Sequence, residues 1–191
     1  WMKRKAAERN CAIAGSVAVC ENGNYYNRFY FVYPDGAVQH YDKKHLFTFG
    51  GEHKRFTAGT ERVVVNFRGV RILLEVCYDL RFPVWARNLG DYDMILYVAS
   101  WPTPRVDAWS ALLRARAIEN QCYVAGVNRM GVDPACEYSG GSAIIDPYGK
   151  TIAECPWSRE SAVSADIGME ALQAFRKKFP VLDDADPFTL I

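Results

Sequence analysis

The sequence has little excess charge of either sign and no long hydrophobic run. Its 23 Lys and Arg residues against 22 Asp and Glu residues leave a formal net charge of +1, with the two signs interspersed along the chain. This balance argues against a surface that binds nucleic acid or an anionic membrane. No apolar run approaches the roughly 18 residues of a membrane span, and the start lacks the apolar core of a signal peptide. We therefore expect a cytoplasmic protein whose partner is a small molecule.

The sequence also lacks closely spaced cysteine pairs and histidine clusters. Six cysteines are present and none forms a C-x-x-C pair: Cys11, Cys20, Cys77, Cys122, Cys136 and Cys155. Most lie in apolar runs, where a free thiol behaves as a small hydrophobic group. The three histidines do not have the spacing of a metal site either. We expect neither a disulfide framework nor a zinc site.

Size and apolar content, by contrast, are those of a folded domain. The 191 residues are 50% hydrophobic and 14% aromatic, enough to bury a sizeable core without disulfides. Internal repeats and linker-like segments are absent. The sequence therefore predicts a single domain over residues 1–191.

Hydrophobic periodicity predicts a mixed α/β arrangement. The start of the chain, residues 1–10, is amphipathic and helical in pattern. Further helices are predicted at 83–89, 107–120 and 169–178. Strands are predicted at 12–19, 25–33, 37–41, 62–67, 70–76, 94–99, 122–127, 142–146, 150–154 and 162–166. Helices that alternate with buried strands indicate a layered fold in which ligands gather at the carboxyl ends of the strands.

Cys77 is the strongest candidate for chemistry. It closes the apolar strand 72–76 and is followed at once by the polar, turning segment 78–83. A strand-to-helix elbow presents such a side chain at the mouth of a sheet, where the next backbone N–H, that of Tyr78, can hold an oxyanion. A buried structural thiol is the alternative that this local pattern leaves open.

Charged residues from other segments of the chain are candidates for acting on this cysteine. A nearby cation lowers a thiol pKa, and Lys43 or Lys44, which follow the third strand between apolar flanks, are candidates. A solvated surface lysine is the alternative for either. Glu52 lies in a glycine-preceded loop and is by default a solvated carboxylate. Glu75 is a charge inside an apolar strand, and strand alternation predicts that it shares a face with Cys77.

Five motifs taken in order closely resemble the nitrilase, or carbon–nitrogen hydrolase, superfamily. They are 43–47 (KKHLF), Glu52, 77–83 (CYDLRFP), 100–102 (SWP) and 114–120 (RARAIEN). With 142–149 (SAIIDPYG) behind them, the resemblance covers essentially the whole chain. Within the superfamily, the segments 41–47, 52–53 and 175–180 are similar to the omega-amidase branch, whose members deamidate the 2-oxo acids left after glutamine or asparagine transamination.

The resemblance implies a fold and a set of roles. The fold is a four-layer α-β-β-α sandwich that pairs through an outer helical layer into homodimers or larger homo-oligomers. Cys77 matches the family nucleophile, and Lys43 matches the lysine that stabilises the oxyanion together with the Tyr78 N–H. Glu52 matches a second glutamate that helps to position substrate and lysine. Trp101 falls on a segment that borders the pocket.

The resemblance also implies a reaction in two halves. Thiolate attack on a small-molecule amide expels ammonia and leaves a thioester, which water then hydrolyses, and no metal or organic cofactor is required. Residue spacing leaves other linear amides, N-carbamoyl amines and nitriles open as substrates. A non-catalytic chain that serves as an oligomer scaffold is the alternative of a different class.

Two departures from the family pattern affect the proton chemistry. The family's general base is a glutamate on an early strand that precedes the helix matched by residues 1–7, so the resemblance implies an N-terminally incomplete chain that lacks a first strand and helix and has an exposed sheet edge. Glu75 stands where the family usually has an apolar residue. Two residues along a strand is roughly 6.6–6.8 Å, too far for Glu75 to replace the base on Cys77 without a bridging water.

Overall fold

Three antiparallel strands form a first sheet in the computed structural model, which describes residues 1–189. Their order is β1-β2-β3, and the strands are β1 (Ile13–Glu21), β2 (Asn24–Val32) and β3 (Val38–Asp42). The pairing is a meander in which each strand returns beside its predecessor. The predicted strands 12–19, 25–33 and 37–41 are confirmed within two residues at each end.

A second, mixed sheet forms the centre of the molecule. Its strands are β4 (Val64–Phe67), β5 (Val70–Val76), β6 (Met94–Ala99), β7 (Tyr123–Asn128), β10 (Ala143–Ile145) and β11 (Thr151–Glu154), in the spatial order β11-β10-β7-β6-β5-β4. A separate ribbon pairs β8 (Met130–Val132) with β9 (Glu137–Ser139), which the sequence analysis does not predict. Because β5, β6 and β7 are parallel, their carboxyl ends meet at one edge of the sheet.

Helices lie outside the sheets. The three are α1 (Met2–Arg9), α2 (Val106–Glu119) and α3 (Met169–Lys178). α1 contacts β1 and β2 of the first sheet, and α2 packs on the outer face of the second sheet. Arg176 of α3 donates to Asp93, to the Tyr92 carbonyl and to the Gln121 carbonyl, which fixes this helix near the amino ends of β6 and β7. Within residues 1–189, no helix combines the length and the apolar character needed to cross a bilayer.

Two hydrophobic clusters hold the layers together, one on each face of β5. Between the sheets, Phe29 and Phe31 pack with Leu74 and its neighbours, whereas Leu73 packs on the other face with Trp109 of α2. Residues 72–76 are all buried, because one face meets the first sheet and the other meets the helix. The architecture is therefore the expected α-β-β-α sandwich.

The predicted helix at 83–89 is wrong. This segment forms turns, and two of its carbonyl groups, those of Trp85 and Arg87, bond to a side chain that is distant in sequence rather than to N–H groups four residues on. Arg62 Nε donates to the Trp85 carbonyl at 3.2 Å, and Arg62 Nη2 donates to the Arg87 carbonyl at 3.3 Å. Asn88 is fixed in turn by Asn120 Oδ1, 2.9 Å from its backbone nitrogen.

The predicted strand at 162–166 is also wrong. No strand of the described chain pairs with this segment, and Val163 is exposed, so the segment lacks the buried face that a strand needs. The remaining strands of the second sheet, and the helix at 169–178, are confirmed within two residues at each end. The predicted single domain extends to residue 191, so its residues 190–191 lie outside the described part.

Candidate active site

Cys77 lies on a sharp elbow where β5 ends. Its φ angle is 50°, in the left-handed region that non-glycine residues seldom adopt, and a 3₁₀ turn over Cys77–Arg81 follows directly. The backbone N–H of Val76 donates to Asp79 Oδ2 at 3.0 Å, which fastens the turn to the end of the strand. Strained backbone of this kind persists where the surroundings hold it, often at active sites.

A cavity of about 560 Å³ opens at the carboxyl ends of β5, β6 and β7. All five site residues expected from the sequence line it: Lys43, Glu52, Cys77, Tyr78 and Trp101. The first two come from the loop after β3 and the others from the segments after β5 and β6. The fold therefore brings residues from both sheets to one chamber.

Lys43 and Glu52 form a buried ion pair in this cavity. Lys43 Nζ lies 2.6 Å from Glu52 Oε2, and Lys43 is only 2% exposed. Glu52 also accepts from the Phe47 backbone N–H at 2.6 Å and from Asn27 Nδ2 at 3.1 Å. Burial opposes ionisation of Glu52, but the charge of Lys43 and these hydrogen bonds outweigh it, so the pKa of Glu52 lies below its ordinary value.

The structure decides between the two candidate lysines. Lys44 does not line the cavity, and its Nζ lies 5.2 Å from the centroid of the Trp85 ring. Lys43 is the lysine that faces the cavity.

Two opposing effects act on the pKa of the Cys77 thiol. Burial raises the pKa of Cys77, and although the positive charge of Lys43 acts in the opposite direction, the pKa stays above its ordinary value. The Ser100 carbonyl, 4.0 Å from Sγ, accepts a weak hydrogen bond from the thiol. For the Cys77 thiol, desolvation therefore has a larger effect on the pKa than the one nearby cation.

Asp79 links the lysine loop to the cysteine elbow. Its Oδ1 accepts from both the backbone N–H and Nδ1 of His45, at 2.9 and 2.8 Å, and its Oδ2 accepts from the Tyr41 hydroxyl at 2.9 Å. The side chain of Asp79 is fully buried. Asp79 is not marked by the local sequence, because one carboxylate in the polar segment after Cys77 gives no sign of its partners, which are up to 38 residues away.

Trp101 is fixed by hydrogen bonds on three sides. Its backbone N–H donates to Asn128 Oδ1 at 2.7 Å, its carbonyl accepts from Asn128 Nδ2 at 3.0 Å, and its indole N–H donates to the Arg105 carbonyl at 2.6 Å. Asn128, Arg81, Arg105 and Arg129 also line the cavity. The sequence analysis missed these four polar residues because nothing local marks which side chains after a strand turn inward.

Glu75 is excluded from the cavity, contrary to the face that strand alternation predicts. The alternation ends at Cys77, whose positive φ turns its side chain toward the cavity while Glu75 points into the core. Neither carboxylate oxygen of Glu75 has a hydrogen-bond partner within residues 1–189, and burial raises its pKa well above the ordinary value. A protonated carboxyl outside the cavity cannot act as the base for Cys77.

The comparisons with known proteins agree with this geometry. The family model for carbon-nitrogen hydrolases matches residues 1–177. The chain belongs to the carbon–nitrogen hydrolase family. Among relatives of this hydrolase, the omega-amidase YafV of Escherichia coli K12 is 53% identical over 191 residues, which are 100% of this chain and 75% of the relative. The 2-oxoglutaramate amidase of Bacillus subtilis is 40% identical over 188 residues, with 96% and 72% of the two chains covered.

Solved structures support the same assignment for this hydrolase. The CN-hydrolase superfamily protein XC1258 of Xanthomonas campestris, described with an arsenic adduct in its active site, superposes with a TM-score of 0.96 at 47% identity, covering 100% of this chain and 75% of that one. Nit3 of Saccharomyces cerevisiae shares the fold, with a TM-score of 0.86 at 24% identity over 93% of this chain and 67% of its own. The family and fold predicted from the sequence are thus confirmed.

The first testable prediction concerns Asp79. Replacing Asp79 with Asn puts an amide nitrogen where one oxygen now accepts two hydrogen bonds, so buried donors of the loop or the elbow lose their partner. We expect the free energy of unfolding to fall by about 1–3 kcal/mol, measured by urea denaturation. Asp107→Asn, the same change at an exposed position on α2, should stay within about 0.5 kcal/mol of the wild type. Equal stability of the two variants would contradict the proposed link.

The second prediction concerns the ionisation of Cys77. Replacing Lys43 with Gln removes a positive charge that favours the thiolate, so the pKa of Cys77 should rise further. Alkylation of Cys77 by iodoacetamide, followed by peptide mass spectrometry, should then shift to higher pH. Lys44→Gln removes the same charge from outside the cavity and should leave the profile unchanged. A profile that moves equally in both variants would rule out a specific effect of Lys43.

Proposed function

We propose that this hydrolase is an omega-amidase that cleaves the terminal amide of 2-oxo dicarboxylic acid monoamides such as 2-oxoglutaramate. The observation that carries the proposal is the shared cavity, in which the Cys77 elbow faces the Lys43–Glu52 pair. The names of the two relatives above support the substrate class. A cysteine that shares a cavity with a cation matches what acyl transfer requires.

In the first half-reaction, the sulfur of Cys77 forms a bond to the amide carbon. The carbonyl oxygen becomes negative, and we assign its stabilisation to Lys43 Nζ and the backbone N–H of Tyr78. The carbon–nitrogen bond then breaks. The thiol proton of Cys77 ends on the departing nitrogen, so that ammonia leaves and a thioester remains. Burial raises the pKa of the free thiol, and because the thiolate is the nucleophile, the proton must leave the sulfur as the bond to carbon forms.

In the second half-reaction, water hydrolyses the thioester. One hydrogen of the water returns to Cys77 as the thiol proton, and its oxygen completes the product carboxylic acid. Glu52 acts here as a positioning residue, because its three hydrogen bonds fix Lys43 and the Phe47 loop in place. The pair also balances the charge of a lysine that would be costly to bury alone.

A scaffold without catalytic activity is the alternative from the sequence, and the geometry disfavours it. A scaffold has no need of a strained cysteine elbow or of a buried Lys43–Glu52 pair lining an accessible cavity, since both cost stability.

The third prediction tests the activity. The purified protein should release ammonia from 2-oxoglutaramate, and Cys77→Ala should abolish this release. Lys43→Ala should lower the rate on the order of 10²–10³-fold, the usual loss for an oxyanion donor. Cys20→Ala changes an exposed cysteine on β1 and serves as the control with wild-type activity. No ammonia from the wild type, or equal rates for Cys77→Ala and Cys20→Ala, would refute the proposal.

The fourth prediction concerns assembly and location. We propose a cytoplasmic homodimer or larger homo-oligomer that associates through the outer helical layer. On α2, Ile118 is exposed despite its apolar side chain, and the six free cysteines suit a reducing compartment. Light scattering at micromolar concentration should give a mass of at least two chains, and Ile118→Asp should reduce it. A wild-type monomer at that concentration would contradict the proposal.

A further inference from the structure

We propose that Arg105 binds the carboxylate of the substrate and thereby makes the cavity select anionic amides over uncharged ones. This inference rests on the proposed amidase function and names the residue that would recognise the end of the substrate remote from the amide. Five charged side chains line the cavity: Lys43, Glu52, Arg81, Arg105 and Arg129.

The charge on the cavity wall is unbalanced. Lys43 is neutralised by Glu52, and Arg129 lies 3.3 Å from Asp133 and over the ring of Tyr138. Within the described chain, by contrast, Arg81 and Arg105 have no carboxylate within salt-bridge distance. Attack on an amide carbonyl requires one cation at the oxyanion, not two further guanidinium groups. The surplus positive charge is suited to a substrate that carries its own negative charge.

Arg105 is the better placed of the two unpaired arginines. Its backbone is fixed, because its carbonyl accepts from the Trp101 indole at 2.6 Å and its N–H donates to the Pro102 carbonyl at 3.0 Å. Its side chain is half-buried, and its guanidinium carbon lies 5.4 Å from the centroid of the Phe47 ring. Contact with an aromatic ring leaves the N–H donors of a guanidinium available for a bidentate bond to a carboxylate.

Phe47 contacts both Arg105 and the Lys43–Glu52 pair. The Phe47 backbone N–H donates to Glu52 Oε2, the same oxygen that pairs with Lys43. The guanidinium therefore lies against the loop that positions the oxyanion cation, within the cavity that Cys77 lines. Cys77 and Arg105 line the same cavity, and the inference requires that one short substrate reach both. Arg81 lies over the Trp101 ring at 5.1 Å but is exposed, which fits a role at the rim of the cavity.

The fifth prediction compares charged and uncharged substrates in matched variants. Arg105→Gln should lower kcat/KM for 2-oxoglutaramate by about 10–100-fold, chiefly through KM, as expected for a lost hydrogen bond between charged groups. Hydrolysis of butyramide, which has no carboxylate, should change by less than about 3-fold, because the chemistry at Cys77 is untouched. Arg105→Lys should recover part of the loss. Arg114→Gln, which removes an exposed arginine of α2 outside the cavity, should change neither reaction.

A binding measurement separates this inference from the amidase proposal. The anion 2-oxoglutarate should protect Cys77 from iodoacetamide in the wild type but not in Arg105→Gln. If the wild type releases no ammonia from 2-oxoglutaramate, the amidase proposal fails, and protection alone decides the role of Arg105. Protection that is equal in wild type and Arg105→Gln, absent from both, or a parallel loss of activity on charged and uncharged amides, would overturn the carboxylate assignment.

Discussion

The site depends on one buried carboxylate, that of Asp79. The two sheets adhere through apolar contacts such as Phe31 on Leu74, and hydrophobic burial is non-directional. Such packing leaves the relative placement of a loop from one sheet and an elbow from the other loosely defined. The directional hydrogen bonds of Asp79 fix this placement. Its two oxygens accept from Val76 at the elbow, from Tyr41 on β3 and from His45 in the loop after β3. Without this bond set, Lys43 and Cys77 would share a cavity but not a fixed geometry.

The charges of Lys43 and Glu52 act both on each other and on the Cys77 thiol. Glu52 pairs with Lys43, which makes a nearly inaccessible ammonium tolerable. The same pairing limits how much Lys43 can lower the pKa of Cys77, because Glu52 acts on the sulfur with the opposite sign. The ion pair thus fixes the ammonium in the cavity while it weakens the effect of that ammonium on the sulfur. This arrangement suits the proposed role of Lys43 at an oxyanion.

Local pattern predicted most of the strands, and it failed where distant side chains decide the structure. The strand Met94–Ala99 was predicted to the residue, because a short continuous apolar run indicates a buried strand whatever its partners are. The segment 83–89 was misjudged because Arg62, more than twenty residues earlier, binds its carbonyl groups. Asp79 and Asn128 were missed for the same reason, with partners 34 and 27 residues away. Lys43 and Lys44 could be distinguished only by which of the two the loop turns inward.

The residues proposed for reactivity and for selectivity lie on different stretches of the chain. The proposed reacting groups come from the loop after β3 and the elbow after β5, whereas Arg105 lies after β6 in a short 3₁₀ turn that begins α2. Trp101 links the cavity to Arg105, because it lines the cavity and its indole N–H donates a hydrogen bond to the Arg105 carbonyl. If Arg105 has the proposed role, a change of its side chain alters which amides are recognised, while the elbow and the Lys43–Glu52 pair remain as they are. Such a separation allows one scaffold to keep its acyl-transfer chemistry and exchange its substrates.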